Sequence, residues 1–123
     1  MNRIVLDTNV LWNPEAMSAL LARPLEVVLP SIVLAERVRQ IRARDQDVDL
    51  FLDRVRMLGW KVEPLGREEA LRYTGALIEQ DVWNAHSRDA FIAGHVRPGD
   101  SLWTANVKDF VRIGVPAEQI QRV

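Results

Sequence analysis

The sequence contains no cysteine. A disulfide framework, a thiolate zinc site and a cysteine nucleophile are therefore excluded. Lysine is nearly absent as well: Lys61 and Lys108 are the two present, and arginine supplies the rest of the sixteen basic residues. Arginine suits planar recognition of phosphate, although a high-GC genome produces the same bias. There is no Gly-rich loop of the kind that cradles phosphates. No apolar run approaches the roughly 18 residues of a membrane span. Ile4-Val5-Leu6 reads as a strand so soon after Met1 that a secretory leader is not expected. These absences make the cytoplasm the expected location. Excess charge is also missing: 16 basic and 17 acidic residues leave a net charge of −1. Nothing in that balance draws the whole chain toward nucleic acid, so any RNA binding depends on where the charges cluster.

What is present is the composition of a soluble globular protein, 48% hydrophobic and 27% charged over 123 residues. One domain spanning 1–123 is expected, because no linker, repeat or low-complexity stretch interrupts it. Short, continuously apolar runs alternate with helical periods. Strands are expected at 3–7, 25–29, 60–65 and 101–105, with an edge strand at 119–123. Asn13-Pro14 marks a helix start before residues 15–22. Ser31 is a candidate cap for a helix in which Leu34, Val38 and Ile41 share a face. Val48, Phe51, Leu52, Val55 and Leu58 form the clearest helical stripe, expected to face the core, and Gly59 sits at its capping position. A helix is expected over 68–80, and Ser87 is a candidate cap for another that runs through Phe91, Ile92 and Val96. Apolar strands separated by helices predict an α/β fold, a parallel sheet of four or five strands covered on both faces by helices.

Three acids stand in unusual places. Asp7 ends the first strand, and the carboxyl ends of strands are where open parallel sheets bind ligands. Glu36 lies on the helix after the second strand. Asp89 falls in the first turn of the helix that Ser87 would cap. A fourth segment, Thr104 to Phe110, follows the last clear strand and contains Asn106 and Asp109. Each acid alone has an ordinary reading: a helix cap for Asp7, a solvated position for Glu36, a favourable charge at a helix start for Asp89 and Asp109. Together they imply a cation. Two carboxylates about 4 Å apart repel by roughly 4 kcal/mol at an effective dielectric of 20. A hard divalent ion such as Mg²⁺ or Mn²⁺ removes that repulsion. Such an ion also lowers the pKa of a bound water and stabilises charge on a phosphoryl oxygen.

The ordered set of motifs resembles the PIN-domain family, and within it the small VapC-type toxins of toxin–antitoxin pairs. Ile4 to Leu11 resembles the family's opening motif, an apolar strand followed by Asp7-Thr8-Asn9. Pro30 to Glu36 resembles the second, Asp89 to Gly94 the third, and Leu102 to Phe110 the fourth. The four span residues 4 to 110. The resemblance implies a PIN-like three-layer fold and a metal-dependent endoribonuclease with Asp7, Glu36 and Asp89 as metal-binding, catalytic acids. The fourth family position falls on Asn106 or on Asp109. Thr8 matches a family hydroxyl that orients the first acid or a water. Arg37 and Thr104 are further candidates for contacting substrate. The resemblance also implies an RNA substrate, a homodimer and a small antitoxin partner.

Several side chains remain open in role. Arg37, Arg39, Arg42 and Arg44 crowd the helix after Glu36, as an RNA-facing surface or as a plain solvated face. Trp12 could stack on a base, whereas the other tryptophans read as packing residues. His86 is a candidate general base or a capping-loop histidine. A haloacid-dehalogenase phosphatase also begins with an aspartate at a strand end, but it needs a second aspartate where this chain has Asn9. The other rivals are a catalytically silent PIN fold that only binds, and a housekeeping ribonuclease that is not a toxin. Three clustered carboxylates create a strongly negative cleft, so an arginine presented by a partner is expected to pair with them and compete with the metal.

Overall fold

The computed structural model describes residues 3–22 and 25–123. Its centre is a five-stranded sheet: β1 (Arg3–Leu6), β2 (Glu26–Pro30), β3 (Lys61–Glu63), β4 (Ser101–Thr104) and β5 (Ile120–Arg122). The strand order is β3-β2-β1-β4-β5, and every pairing is parallel. Parallel neighbours require crossovers, and helices supply them. These are α1 (Pro14–Leu21), α2 (Ser31–Ala43), α3 (Val48–Met57), α4 (Arg67–Arg72), α5 (Gln80–Ala93) and α6 (Val107–Arg112). Val5, Leu6, Val28, Leu29 and Leu102 are all fully buried. A strand covered on both faces buries successive residues, which is why these segments read as unbroken apolar runs.

The chain builds outward from β1 to β2 and β3, then returns to the other side of β1 for β4 and β5. The order therefore reverses between β1 and β4. A crevice opens at such a point because the flanking connections leave in opposite directions, and ligands bind there. Asp7 and Thr104 stand at the carboxyl ends of those two strands.

Local signals explain some helix boundaries. The Asn13 side chain accepts a hydrogen bond from the Ala16 amide at 3.0 Å, with Pro14 in the first helical position. Gly59 follows α3 at φ +70°, a conformation costly for residues that carry a β-carbon. Four expectations are corrected. Ser31 does not cap α2: Pro30 holds the cap position, Ser31 is the first helical residue, and no side chain makes the capping bond. The segment 68–80 is not one helix: α4 stops at Arg72 and α5 starts at Gln80. The Thr74 hydroxyl bonds back to the Ala70 carbonyl, and Gly75 follows it. Ser87 is not a cap, because α5 begins seven residues earlier and carries Ser87 in its interior. Asp89 consequently sits in the last half of α5, and a favourable helix-start charge no longer accounts for it. The stripe on α3 is also only partly core: Val55 is buried and Phe51 packs on the core, but Leu52 and Leu58 are exposed.

α5 reaches its position through a close approach to α4. A β-carbon added at Gly94, just past the end of α5, would lie 1.9 Å from the Glu69 carbonyl oxygen. Only glycine permits that contact. Beside it runs a buried charged network. Arg3 donates to Asp100 through Nε and Nη2 at 3.2 and 3.1 Å, to Glu63 through Nη1 at 2.7 Å, and to the His95 carbonyl. His95 Nδ1 lies 2.8 Å from the other Glu63 oxygen. The network ties the first residue of β1 to the last of β3 and to the loop before β4.

Candidate functional site

Asp7 is completely buried, yet its carboxylate is fully engaged. The backbone turns into a short 3₁₀ helix directly after it, so the Thr8 amide donates to Asp7 Oδ1 at 2.7 Å. Oδ2 accepts from Thr104 Oγ1 at 2.8 Å and from Asn9 Nδ2 at 3.1 Å. Asn9 is itself fixed, its oxygen accepting from the Ala105 amide at 3.0 Å. The loops that follow β1 and β4 are therefore laced together around one carboxylate.

Glu36 extends from the second turn of α2, and its Oε1 accepts from Thr8 Oγ1 at 2.8 Å. Asp89 approaches from α5. The fourth member of the group is Arg88, which sequence reasoning missed. Its Nη2 donates to Asp7 Oδ1 at 3.0 Å and to Thr8 Oγ1 at 3.0 Å. Nε donates to Glu36 Oε2 at 2.5 Å, and Nη1 to Asp89 Oδ1 at 2.8 Å. One guanidinium touches all three acids. Arg88 adjoins the third motif, and a lone cation beside a motif acid was the available signal.

The electrostatics follow from this packing. Burial pushes the Asp89 carboxyl above the usual carboxylate range; Arg88 opposes that, while the negative charges of Asp7 and Asp109 add to it. Asp109, half-buried on α6, therefore lies within the field of the cluster. Asn106 is exposed at the start of α6, with no side-chain capping bond. Burial alone would lower the pKa of Arg88, but the bond to Glu36 and the charges of Asp7 and Glu36 outweigh it and raise the value.

The remaining candidates lie elsewhere or act differently. Thr104 is fully buried, with its hydroxyl committed to Asp7 and accepting from the Asn106 amide. Arg37 stacks on Trp12, with its guanidinium carbon 3.7 Å from the ring centroid, and Arg44 lies over the same ring at 4.5 Å. Burial lowers the Arg37 pKa, and nearby Arg44 lowers it further. Trp103 belongs to the core, and Trp60 and Trp83 pack against it. His86 lies within α5, not in a capping loop.

The donor set suits a hard divalent ion. Carboxylate oxygens of Asp7, Glu36 and Asp89 converge on three different nitrogens of one guanidinium, which is wider than a metal ion, so the acids would close in on an ion that took its place. Among the described residues, the group whose spacing already suits a metal is a different one: ligand atoms of Glu63, Glu69 and His95 lie within 4.8 Å of one another. Its charge balance argues otherwise. Arg3 and His95 already take the two Glu63 oxygens, and Lys61 and Arg97 lie 3.7 and 3.8 Å from one of them. Another cation there would meet positive charge.

The all-parallel sheet, its strand order and its flanking helices define a PIN-like α/β fold. Solved structures with this fold include a chain of a toxin–antitoxin complex from Klebsiella pneumoniae, at 22% identity over all of both chains with a TM-score of 0.65. A chain of VapBC-1 from nontypeable Haemophilus influenzae matches at 22% identity and a TM-score of 0.62, covering 99% of this chain and 98% of that one. No family model and no curated protein matches the chain.

Proposed function

We propose that the chain is a single-domain, metal-dependent endoribonuclease and the toxin of a toxin–antitoxin pair. The observation that carries this reading is the convergence of Asp7, Glu36 and Asp89 at the reversal point of the sheet. In it, these three acids hold a Mg²⁺ or Mn²⁺ ion, and Asp109 adds negative charge at the rim. Thr104 and Asn9 fix the Asp7 carboxylate, and Thr8 fixes Glu36. A bound divalent ion supplies a water of lowered pKa and stabilises charge on a phosphoryl oxygen, so no protein nucleophile is needed.

The purified protein is expected to cleave single-stranded RNA with Mg²⁺ or Mn²⁺, to stop in EDTA, and to recover when metal is restored. Asp109→Asn should reduce cleavage by about tenfold or more, as loss of a supporting charge typically does. Asn106→Ala should change it little. Full activity in EDTA refutes the reading. Metal binding without cleavage of any RNA instead favours a silent binding module.

An antitoxin partner is proposed because both of the solved relatives above are toxin–antitoxin complexes. Among the described residues no helix is long and apolar enough to cross a membrane, which is compatible with action on cytoplasmic RNA. Leu50 and Met57 stand side by side and exposed on the face of α3 opposite its buried stripe, with Leu58 exposed just past its end, and this supports a homodimer that buries them. Sedimentation at micromolar concentration should show a dimer, and Leu50→Glu with Met57→Glu should give a monomer. A monomeric wild type rejects the contact.

A further inference from the structure

We infer that Arg88 is the chain's own stand-in for the metal, and that a divalent ion binds only by displacing its guanidinium from the three acids. This rests on the metal-dependent reading above. The placement is specific. Arg88 and Asp89 are consecutive on α5 and so project about 100° apart around a helix of 3.6 residues per turn. Asp89 is buried, whereas Arg88 is partly exposed and reaches back over the acids. Its three nitrogens make four hydrogen bonds there, to Asp7, Thr8, Glu36 and Asp89.

Every one of those acids would be needed by the ion. Asp7 offers the clearest case. Its Oδ2 is held by Thr104 and Asn9, and its Oδ1 by the Thr8 amide and Arg88. Of these four donors, Arg88 alone can leave without unfolding a loop. Thr8 and Asn9 belong to the turn after β1, and Thr104 ends β4. The Arg88 side chain is 37% exposed and sits on a long flexible stem, so rotation carries it into solvent while α5 stays in place. Two cations cannot share these oxygens, since like charges in a partly buried site repel strongly. Arginine and metal are therefore alternative occupants. Arg88 holds the acids together when metal is scarce and sets the metal concentration at which the site loads.

This placement also changes what a partner's arginine would do. The guanidinium that sequence reasoning assigned to a partner is already supplied in cis, so an inhibitor of that kind has to displace Arg88 as well as the ion.

The test is Mn²⁺ affinity, measured by calorimetry and by electron paramagnetic resonance, on wild type, Arg88→Gln and Arg88→Lys. Displacement predicts that Arg88→Gln binds Mn²⁺ about tenfold or more tightly, the scale of a direct competition between sites. Arg88→Lys should fall between the two, because it keeps charge but loses the planar fork. Thermal melts add an independent readout: without metal, Arg88→Gln should melt below wild type, and saturating Mn²⁺ should close the gap. Equal or weaker Mn²⁺ binding by folded Arg88→Gln, with wild type binding normally, overturns the inference and leaves the nuclease reading standing. Absence of Mn²⁺ binding in all three proteins overturns both. If Arg88→Gln fails to fold, Arg88→Lys decides: affinity no tighter than wild type overturns the inference.

Discussion

Asp7→Asn is expected to lower metal-dependent RNA cleavage on the order of a hundredfold or more, since it removes the most deeply held of the proposed metal ligands. The substitution should also destabilise the fold, and the structure says why. All four partners of the Asp7 carboxylate are donors: the Thr8 amide, Asn9 Nδ2, Thr104 Oγ1 and Arg88 Nη2. An asparagine amide must turn its own donor group toward two of them, whichever way it is flipped. Leaving buried donors unpaired costs roughly 1–3 kcal/mol. Glu36→Gln separates the two effects. Glu36 is half-buried, so its charge can be removed at a smaller cost in stability, yet it too belongs to the proposed ligand set. Both variants should lose cleavage, whereas Asp7→Asn alone should show a clear fall in melting temperature. Wild-type cleavage rates from folded Asp7→Asn would remove Asp7 from the mechanism.

The sheet was legible in the sequence because strands covered on both faces announce themselves as apolar runs. Val5-Leu6, Val28-Leu29 and Leu102-Trp103 could hardly sit elsewhere. The positions of Asp7 and Thr104 followed, since each directly ends such a run. The helices were read less well. Thr74-Gly75 interrupts an otherwise helical pattern between Arg67 and Gln80, and sequence alone did not weigh a side-chain bond from Thr74 to Ala70 against it. Ser87 looked like a cap because serine favours that role, yet α5 had already begun at Gln80. That error misplaced Asp89 at a helix start and hid its neighbour. Arg88 was invisible for a physical reason: its role depends on acids from β1 and α2, far away in sequence, and nothing local to α5 announces them. Charge logic did predict that a guanidinium would be drawn to the cluster; it could not say that the chain itself provides one. The Arg3 network was missed in the same way, since Arg3 was read only as the first residue of an apolar strand.

That network gives the second large effect. Arg3→Ala is expected to destabilise the protein by about 3–5 kcal/mol, the range for removing one partner from a buried ion group. Against a total of roughly 5–15 kcal/mol for a domain of this kind, such a loss brings the fold close to its limit. The size follows from what remains. Glu63 and Asp100 are both buried, and without Arg3 Asp100 keeps no buried cationic partner and Glu63 keeps only His95. Lys61 and Arg97 stand near Glu63, but both are largely exposed and more than 3.5 Å away. Acid should reproduce part of the effect. Burial by itself would raise the Glu63 pKa, but the hydrogen bonds from His95 and Arg3, with the Arg3 charge, outweigh it and hold the carboxyl below its ordinary value of 4.5. An acid whose folded pKa is depressed stabilises the fold above its unfolded value and loses that contribution as pH falls through the folded one. Stability should therefore decline below about pH 4.5, and Glu63→Gln should flatten the Glu63 share of that decline while lowering stability at neutral pH. Chemical denaturation of wild type, Arg3→Ala and Glu63→Gln between pH 3 and 7 reads both effects. A neutral-pH loss under about 1 kcal/mol for Arg3→Ala would mean that water reaches Glu63 and Asp100 and that the network does not bind β1 to its neighbours.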